Sequence, residues 1–365
     1  TPPYVYNMRR RRYIGKGGHD MSDWVKDGDR CDYRRLRAPV VIDGWASVVG
    51  RHEYEGPLGS EFDAHDSSGR FGADTWERAE SEMQRRAINL AFAKAGVCDR
   101  DIDALFSGDL VNQCTCSSSS SLCLDIPYFG LYGACSTSAE GLILASSLIG
   151  GGELCRCCVS VSSHNSTAER QFRFPLEYGG QRTPTSQWTV TGSGAFVLRA
   201  AAAGDTALPR IVGVQAGVTV DRGITDSANM GAAMAPAAIL TLSRCFRQTG
   251  TAPADYDLIL TGDLGAEGSA ILTELMAGEG YDMRGVYNDC GVLIYDRAAQ
   301  KMRAGGSGCG CSATVLAAYV LPRLSRGELK NVLFVATGAL MSPMSVAQGD
   351  PIPAVAHLVH LCGPL

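Results

Sequence analysis

Charge is scarce in this sequence. Asp, Glu, Lys and Arg make up 19% of 365 residues, and the acids outnumber Lys and Arg by 38 to 33. A formal charge of −5 is the wrong sign for a general nucleic-acid binder, which needs a basic surface. Long apolar runs are missing as well. The longest uncharged stretches, 227–243 and 332–349, are broken by Gly, Pro, Ser or Thr. Neither supplies the roughly 20-residue apolar span of a membrane helix. No signal-peptide pattern is visible. Cysteine, at 14 residues, falls short of the roughly 8–10% of a secreted disulfide scaffold, so the thiols are expected to be free and in a reducing compartment. Neither Cys155-Arg156-Cys157-Cys158 nor Cys309-Gly310-Cys311 has a second pair at metal spacing, so no structural zinc is expected.

What is present is a hydrophobic fraction of 45%, enough for a sizeable core and incompatible with wholesale disorder. The length suits two domains, or one body in two halves. Residues 1–37 stand apart. They carry Arg9 to Arg12, Arg30, Arg34, Arg35 and Arg37 with little apolar periodicity. They read as a basic N-terminal extension, disordered or translated in error, with Met21 as the expected start. The alternative is a basic arm for anionic lipid or nucleic acid. The core is expected from Ala38, with Pro39–Ile42 a short strand and Glu55–Gly59 a turn. Apolar residues at Trp76, Ala79, Met83, Ala87, Leu90 and Ala91 predict a helix, capped by Asp74 with Glu77 reaching back, and closed by Gly96.

An internal repeat sets the fold class. Ile102 to Leu110 and Tyr256 to Leu264 each run from an acid through apolar residues into Ser/Thr-Gly-Asp-Leu. A second pair follows in the same order. Gly133-Ala134-Cys135-Ser136 leads through an apolar helix to Gly152-Glu153-Leu154 and a strand at 158–162. Gly308 to Ser312 leads through another to Gly327-Glu328-Leu329 and a strand at 332–336. The order strand, Gly-rich turn, helix, Gly-Glu-Leu, strand thus occurs twice. It predicts a duplicated α/β chain with halves 38–205 and 206–365, and sites at the carboxyl ends of the strands.

One of those turns carries Cys135. Ser136 or Thr137 can cap the helix that continues through Leu142, Ile143, Ala145, Ser146 and Ile149. A cysteine at a helix N-terminus is placed to be a nucleophile or a ligand-pocket thiol, and the alternative is a small buried apolar residue. A nucleophile needs a proton-handling partner. Of six histidines, His164, in Ser162-Ser163-His164-Asn165, is the best placed, while His357 and His360 sit in an apolar stretch. Downstream, Arg170, Arg173 and Arg182 alternate with aromatics, a composition suited to a flat anion or to ion pairs between the halves. The Ser-rich stretch after Cys114-Thr115-Cys116 reads as a turn or helix start, Gly192-Ser193-Gly194 as tight packing, and Gly305 to Gly308 lacks a P-loop lysine.

These features together resemble the thiolase-like superfamily over about residues 38–365. Its marks are Asp101-Ile102-Asp103, Gly133-Ala134-Cys135, Gly192 to Ala195 and the duplication. The resemblance implies a five-layer αβαβα fold, usually dimeric. A longer set of matches resembles the stage V sporulation protein AD family of endospore formers. It includes Gly56 to Gly59, Gly108 to Leu110, Tyr132 to Ser138, Ser162 to Asn165, Ala168 to Arg173, Glu177 to Gly180, Gly223 to Asp226, Met234 to Ala237, Asp257 to Leu264 and Ala336 to Ala339.

That likeness implies a protein that binds dipicolinate, as its calcium chelate, for uptake into the developing spore. It also implies work beside membrane proteins of the same operon, peripheral to the forespore or spore inner membrane. Condensing enzymes of the superfamily oppose the cysteine with a His and with an Asn or second His from the C-terminal half. Here those regions read Leu260-Thr261-Gly262-Asp263-Leu264 and Gly306 to Ser312, with neither. A non-catalytic binding protein is therefore expected, with no cofactor and no metal of its own. Its candidate ligand residues are Cys135, Ser136, Ser138, His164, Asn165, Arg170, Arg173, Asp263 and Ser307. Asp109 and Asp263 are expected to shape their turns or to meet the calcium. The rival readings are an acyltransferase using Cys135 with His164 or His357 as base, and a scaffold that binds only the membrane partners.

Overall fold

The computed structural model describes residues 32–172 and 182–364, so Arg173 and the extension up to residue 31 lie outside the described residues. The first half runs β1 (Tyr33–Gly50), α1 (Arg51–Tyr54), β2 (Ala64–Asp66), α2 (Trp76–Ala95), β3 (Ala104–Gly108), α3 (Thr115–Ser121), β4 (Tyr128–Leu131), α4 (Thr137–Gly151), β5 (Arg156–Ser163), α5 (Asn165–Phe172), β6 (Trp188–Thr189) and β7 (Gly192–Ala200). The second runs β8 (Arg210–Gln215), α6 (Met230–Thr249), β9 (Leu258–Thr261), α7 (Gly265–Gly278), β10 (Tyr287–Asp289), α8 (Cys290–Leu293), β11 (Gly306–Ser307), α9 (Cys309–Val315), α10 (Leu321–Ser325), β12 (Asn331–Ala339), α11 (Pro343–Ala347) and β13 (Ala354–Cys362).

The repeat read from the sequence is a repeat of topology. The strand order is β10-β9-β12-β13-β8-β1-β7-β5-β3-β4, so each half carries the same five-strand pattern and the two meet where β8 pairs antiparallel with β1. The two Gly-Asp-Leu turns follow β3 and β9, at equivalent places. Alternation along the strands sorts two layers of core. Cys157, Val159, Val161, Phe196 and Leu198 face the middle layer with α4 and α9, whereas Cys158, Ala195 and Val197 face α2. A bulge between Ile42 and Gly44 switches the faces of β1, so that Ile42 looks inward and Ala46 and Val48 look outward. Helix α9 comes very close to β7. A Cβ on Gly194 would lie 2.7 Å from that of Ala313, so Gly192-Ser193-Gly194 serves packing.

Three local expectations are corrected. Strand β1 is 18 residues long and starts at Tyr33, not Pro39. Its first residues are held by the Asp32–Arg244 ion pair and by Tyr33 Oη on His360 Nδ1, so the end of the basic stretch is part of the sheet. Helix α2 is capped by Thr75, whose Oγ1 accepts from Arg78 N at 3.3 Å, not by Asp74. Neither Ser136 nor Thr137 caps α4, because both hydroxyls donate back into the turn, to Gly133 O and Ala134 O, each at 2.7 Å.

Glu53 is an acid inside the fold. It is 1% exposed, accepts from Thr191 N, and takes the Tyr295 hydroxyl. Burial pushes its carboxyl up to about 7, against the pull of those hydrogen bonds. The native state therefore holds a proton that the unfolded chain releases near its ordinary carboxyl range. This contribution to stability is complete below that range and is lost as pH rises through about 7. Glu53→Gln is expected to flatten the fall in urea midpoint between about pH 4.5 and 7.5 by up to about 3 kcal/mol. An unchanged slope in the variant would place the proton elsewhere.

Candidate functional site

The turn from β4 into α4 is tight. Ala134 sits at φ 53°, in the left-handed region that residues with a side chain seldom adopt, immediately before Cys135. β12 closes over it from the other half. A Cβ on Gly338 would lie 2.3 Å from Gly133 O, so only glycine lets the strand lie against the turn.

Opposite the Cys135 sulfur stands Ser307, its Oγ 3.9 Å away, and behind Ser307 stands Asp263, which accepts from that hydroxyl and lies near enough for its charge to act on the thiol. Asp263 is held from several sides. Oδ2 accepts from Gly308 N at 2.8 Å and Ser307 Oγ at 3.1 Å, and Oδ1 accepts from Thr337 Oγ1 at 2.8 Å. Its turn is fixed by Asp289, which accepts from Leu264 N and Gly265 N, and by Gln187, whose amide donates to Asp263 O and Gly306 O. Burial, reinforced by the neighbouring carboxylate, pushes the Cys135 thiol well above the ordinary cysteine range. Burial also raises Asp263, against the hydrogen bonds it accepts. The helix N-terminus was expected to favour a thiolate; enclosure beside an acid outweighs it, because desolvation disfavours the charged form.

A pocket of about 60 Å³ opens on this group. Since one water needs roughly 15 Å³ by the same measure, it has room for a small ligand. Its walls come from both halves: Leu110, Tyr132, Ala134, Cys135, Ala168, Glu169, Phe172 and Thr189 from the first, and Ser227, Met230, Ser307, Ala339 and Met341 from the second. Of the sequence candidates, Cys135 and Ser307 line it, and Asp263 lies directly behind Ser307. The others go elsewhere. Ser136 bonds the turn, and Ser138 Oγ meets Ser312 Oγ at 2.7 Å across α4 and α9. Asn165 stands behind the wall, its amide on Thr189 O. Arg170 is exposed and paired with Glu77.

His164 has both ring nitrogens engaged, Nδ1 accepting from Ser166 N and Nε2 donating to Gly69 O, and its ring lies against Trp76. It cannot act as a base there. His357 accepts from Gly217 N, and His360 lies between Tyr33 and Asn331. Among the described residues, then, no imidazole faces Cys135. Asp109, the repeat counterpart of Asp263, is not in the wall either. It accepts from Ser117 and Val111 and lies, with Cys116, within 4.8 Å of Glu80. Glu80 in turn accepts from Ser162 and Thr167, so protein donors already serve both carboxyls.

A sequence profile of stage V sporulation protein AD matches residues 33–362, nearly the whole described chain. The chain belongs to the stage V sporulation protein AD family. It is 43% identical to the Bacillus subtilis (strain 168) stage V sporulation protein AD over 319 residues, covering 87% of this chain and 93% of that one. The fold is thiolase-like and similar to OleA of Xanthomonas campestris. A cerulenin-bound OleA superposes with a TM-score of 0.57 at 16% identity, covering 89% of this chain and 96% of the other. An OleA variant gives 0.58 at 16%, covering 90% and 99%. For this stage V sporulation protein AD family member, two of the residues singled out in the sequence as ligand candidates, Cys135 and Ser307, line the pocket, and the rest of its wall was not among them. Thr189, Ser227, Met230 and Met341 lie far apart in the chain. Ser227 and Met230 did have a signal, since they fall between the family-like motifs at 223–226 and 234–237.

Proposed function

We propose that this sporulation protein binds dipicolinate, a flat pyridine with two carboxylates, and serves its uptake into the developing spore without making or breaking covalent bonds. The observation that carries the reading is that Cys135 faces Ser307, itself hydrogen-bonded to Asp263, and no imidazole among the described residues. A condensing centre needs a thiolate and a proton carrier, and this site has a neutral thiol next to an acid. The pocket suits such a ligand. Leu110, Phe172, Met230 and Met341 offer apolar faces for a ring, and the hydroxyls of Thr189 and Ser227 offer donors for carboxylate oxygens. Membership in a family named for a stage of sporulation supports the setting.

No helix among the described residues is long and apolar enough to cross a membrane, in keeping with a peripheral place beside membrane partners. A homodimer belongs to the same proposal. β4 is the end strand of the sheet, with Phe129 51% exposed and Leu122 82% exposed close by in the chain.

Calorimetric titration with dipicolinate, with and without calcium, tests the reading. Saturable binding is expected, weakened about tenfold or more in Cys135→Phe, which fills the pocket floor. An absence of binding in both titrations would leave the scaffold reading in its place.

A further inference from the structure

The pocket wall has an electrostatic oddity. Among the described lining residues Glu169 is the one acidic side chain, with no Lys or Arg beside it, and it has the same sign as a carboxylate ligand. Its counter-ion stands just behind. Arg182 Nη2 lies 3.0 Å from Glu169 Oε1, and both side chains are largely buried, at 26% and 13% exposure. Arg182 does not depend on Glu169 for its position. Its guanidinium lies over the Trp188 ring, with Cζ 4.6 Å from the centroid, and Nη1 donates to Gln187 O at 3.2 Å. Trp188 and Thr189 form β6, which pairs with β11, the strand of Ser307. The short two-stranded ribbon that places Thr189 and Ser307 in the wall therefore also holds the platform under Arg182.

Resting on the proposal that the ligand is an aromatic dicarboxylate, we infer that Arg182 is the residue that selects for its charge, and that Glu169 is a built-in stand-in for the ligand's carboxylate. In the empty pocket Glu169 occupies the guanidinium. An entering carboxylate exchanges with it, and Glu169 turns outward. Arginine suits the exchange because its fork accepts either carboxylate in the same planar geometry, and its aromatic and carbonyl anchors keep it in place between partners. The competition sets a threshold. A monocarboxylate gains only what Glu169 already provides, whereas a dicarboxylate keeps a second carboxylate for the hydroxyls of Thr189 and Ser227. The ion pair thus lowers both affinities alike, and the second carboxylate decides which ligand clears the threshold.

The test compares wild type, Arg182→Ala, Arg182→Lys and Glu169→Gln by calorimetry with dipicolinate and with pyridine-2-carboxylate, and with dipicolinate plus calcium. Thermal melting confirms that each variant folds. Arg182→Ala is expected to weaken dipicolinate about 10- to 100-fold, with Arg182→Lys in between. Glu169→Gln removes the competitor, so it should tighten dipicolinate and the monocarboxylate each about tenfold, leaving the ratio between the two ligands in place while lifting the monocarboxylate into the measurable range. That gain is a readout a merely structural ion pair would not give, and it stands even if Arg182→Ala fails to fold. If wild type binds dipicolinate and Glu169→Gln binds it no better, the inference is wrong while the function stands. Weaker binding of the calcium complex by Glu169→Gln would make Glu169 a cation ligand and would also overturn it. If wild type itself binds nothing, the function and the inference fall together.

Discussion

Incubated with a malonyl or acetyl thioester, the protein is expected to leave Cys135 unacylated, with no adduct in intact-mass spectra after hours at pH 7.5. Three features act in the same direction. The thiol is 5% exposed and held neutral by burial and by the Asp263 carboxylate, so the nucleophilic thiolate is rare. The hydroxyl facing it donates to the Asp263 carboxylate, and no imidazole among the described residues stands there to carry a proton. The three histidines of the core stretches are committed to Gly69, Gly217, and the Tyr33–Asn331 pair. General acid–base help is worth about 10²–10⁴ in rate, and oxyanion donors about 10²–10³ more. Without them, acylation should be at least about 10⁴ slower than in a condensing enzyme. A stoichiometric burst of acyl-Cys135 would overturn the non-catalytic reading.

Asp263→Ala should be among the most damaging single changes in the chain. The carboxylate lies at the meeting point of β9, β11, α9 and β12, and its loss strands Gly308 N and Thr337 Oγ1 in the interior and leaves Ser307 Oγ without its acceptor. Each unsatisfied buried donor costs about 1–3 kcal/mol, and a total of about 3–5 kcal/mol is expected, a large part of the stability of an ordinary domain. Chemical denaturation measures it directly. Asp263→Asn is the informative partner. Its oxygen can still accept from Gly308 and Ser307 while its amide donates to Thr337, so the fold should survive at a cost of about 1 kcal/mol. The charge beside the sulfur is gone, and iodoacetamide should then modify Cys135 faster than in wild type. A wild-type melting curve for the alanine variant, or an unchanged alkylation rate for the asparagine one, would remove Asp263 from the centre of the site.

Much of this was legible in the sequence, for a definite reason. Buried strands and the turns after them are local, and a gene duplication writes each twice. The Gly-Asp-Leu and Gly-Glu-Leu repeats therefore located β3, β9, β5 and β12 and assigned Asp109 and Asp263 to equivalent corners. Helix α2 was visible in its apolar spacing, while its cap was off by one residue because Asp74 and Thr75 are both good capping residues and only backbone geometry separates them.

Equivalence in sequence did not mean equivalence in use. Asp263 backs Ser307, which lines the pocket beside Cys135; Asp109 faces Glu80 and Cys116 in the interior. What differs is the element each half sends across, and no local pattern records that. His164 misled for the same reason. Its place after β5 looked right for a base, yet the ring points to Gly69 and Trp76 rather than to the sulfur.

The sequence by itself determined the chemistry on offer: a duplicated α/β chain, a thiol at a helix start, and the absence of histidine from the two segments that would oppose it. These are properties of composition and local order, which survive without knowledge of contacts. Tertiary structure alone decided the partners. It closed β12 over the Cys135 turn, drew the rim from residues far apart in the chain, and set Glu169 against Arg182 over Trp188. Such pairings depend on how two half-sheets pack about a shared layer of helices, a long-range outcome that no window of sequence contains.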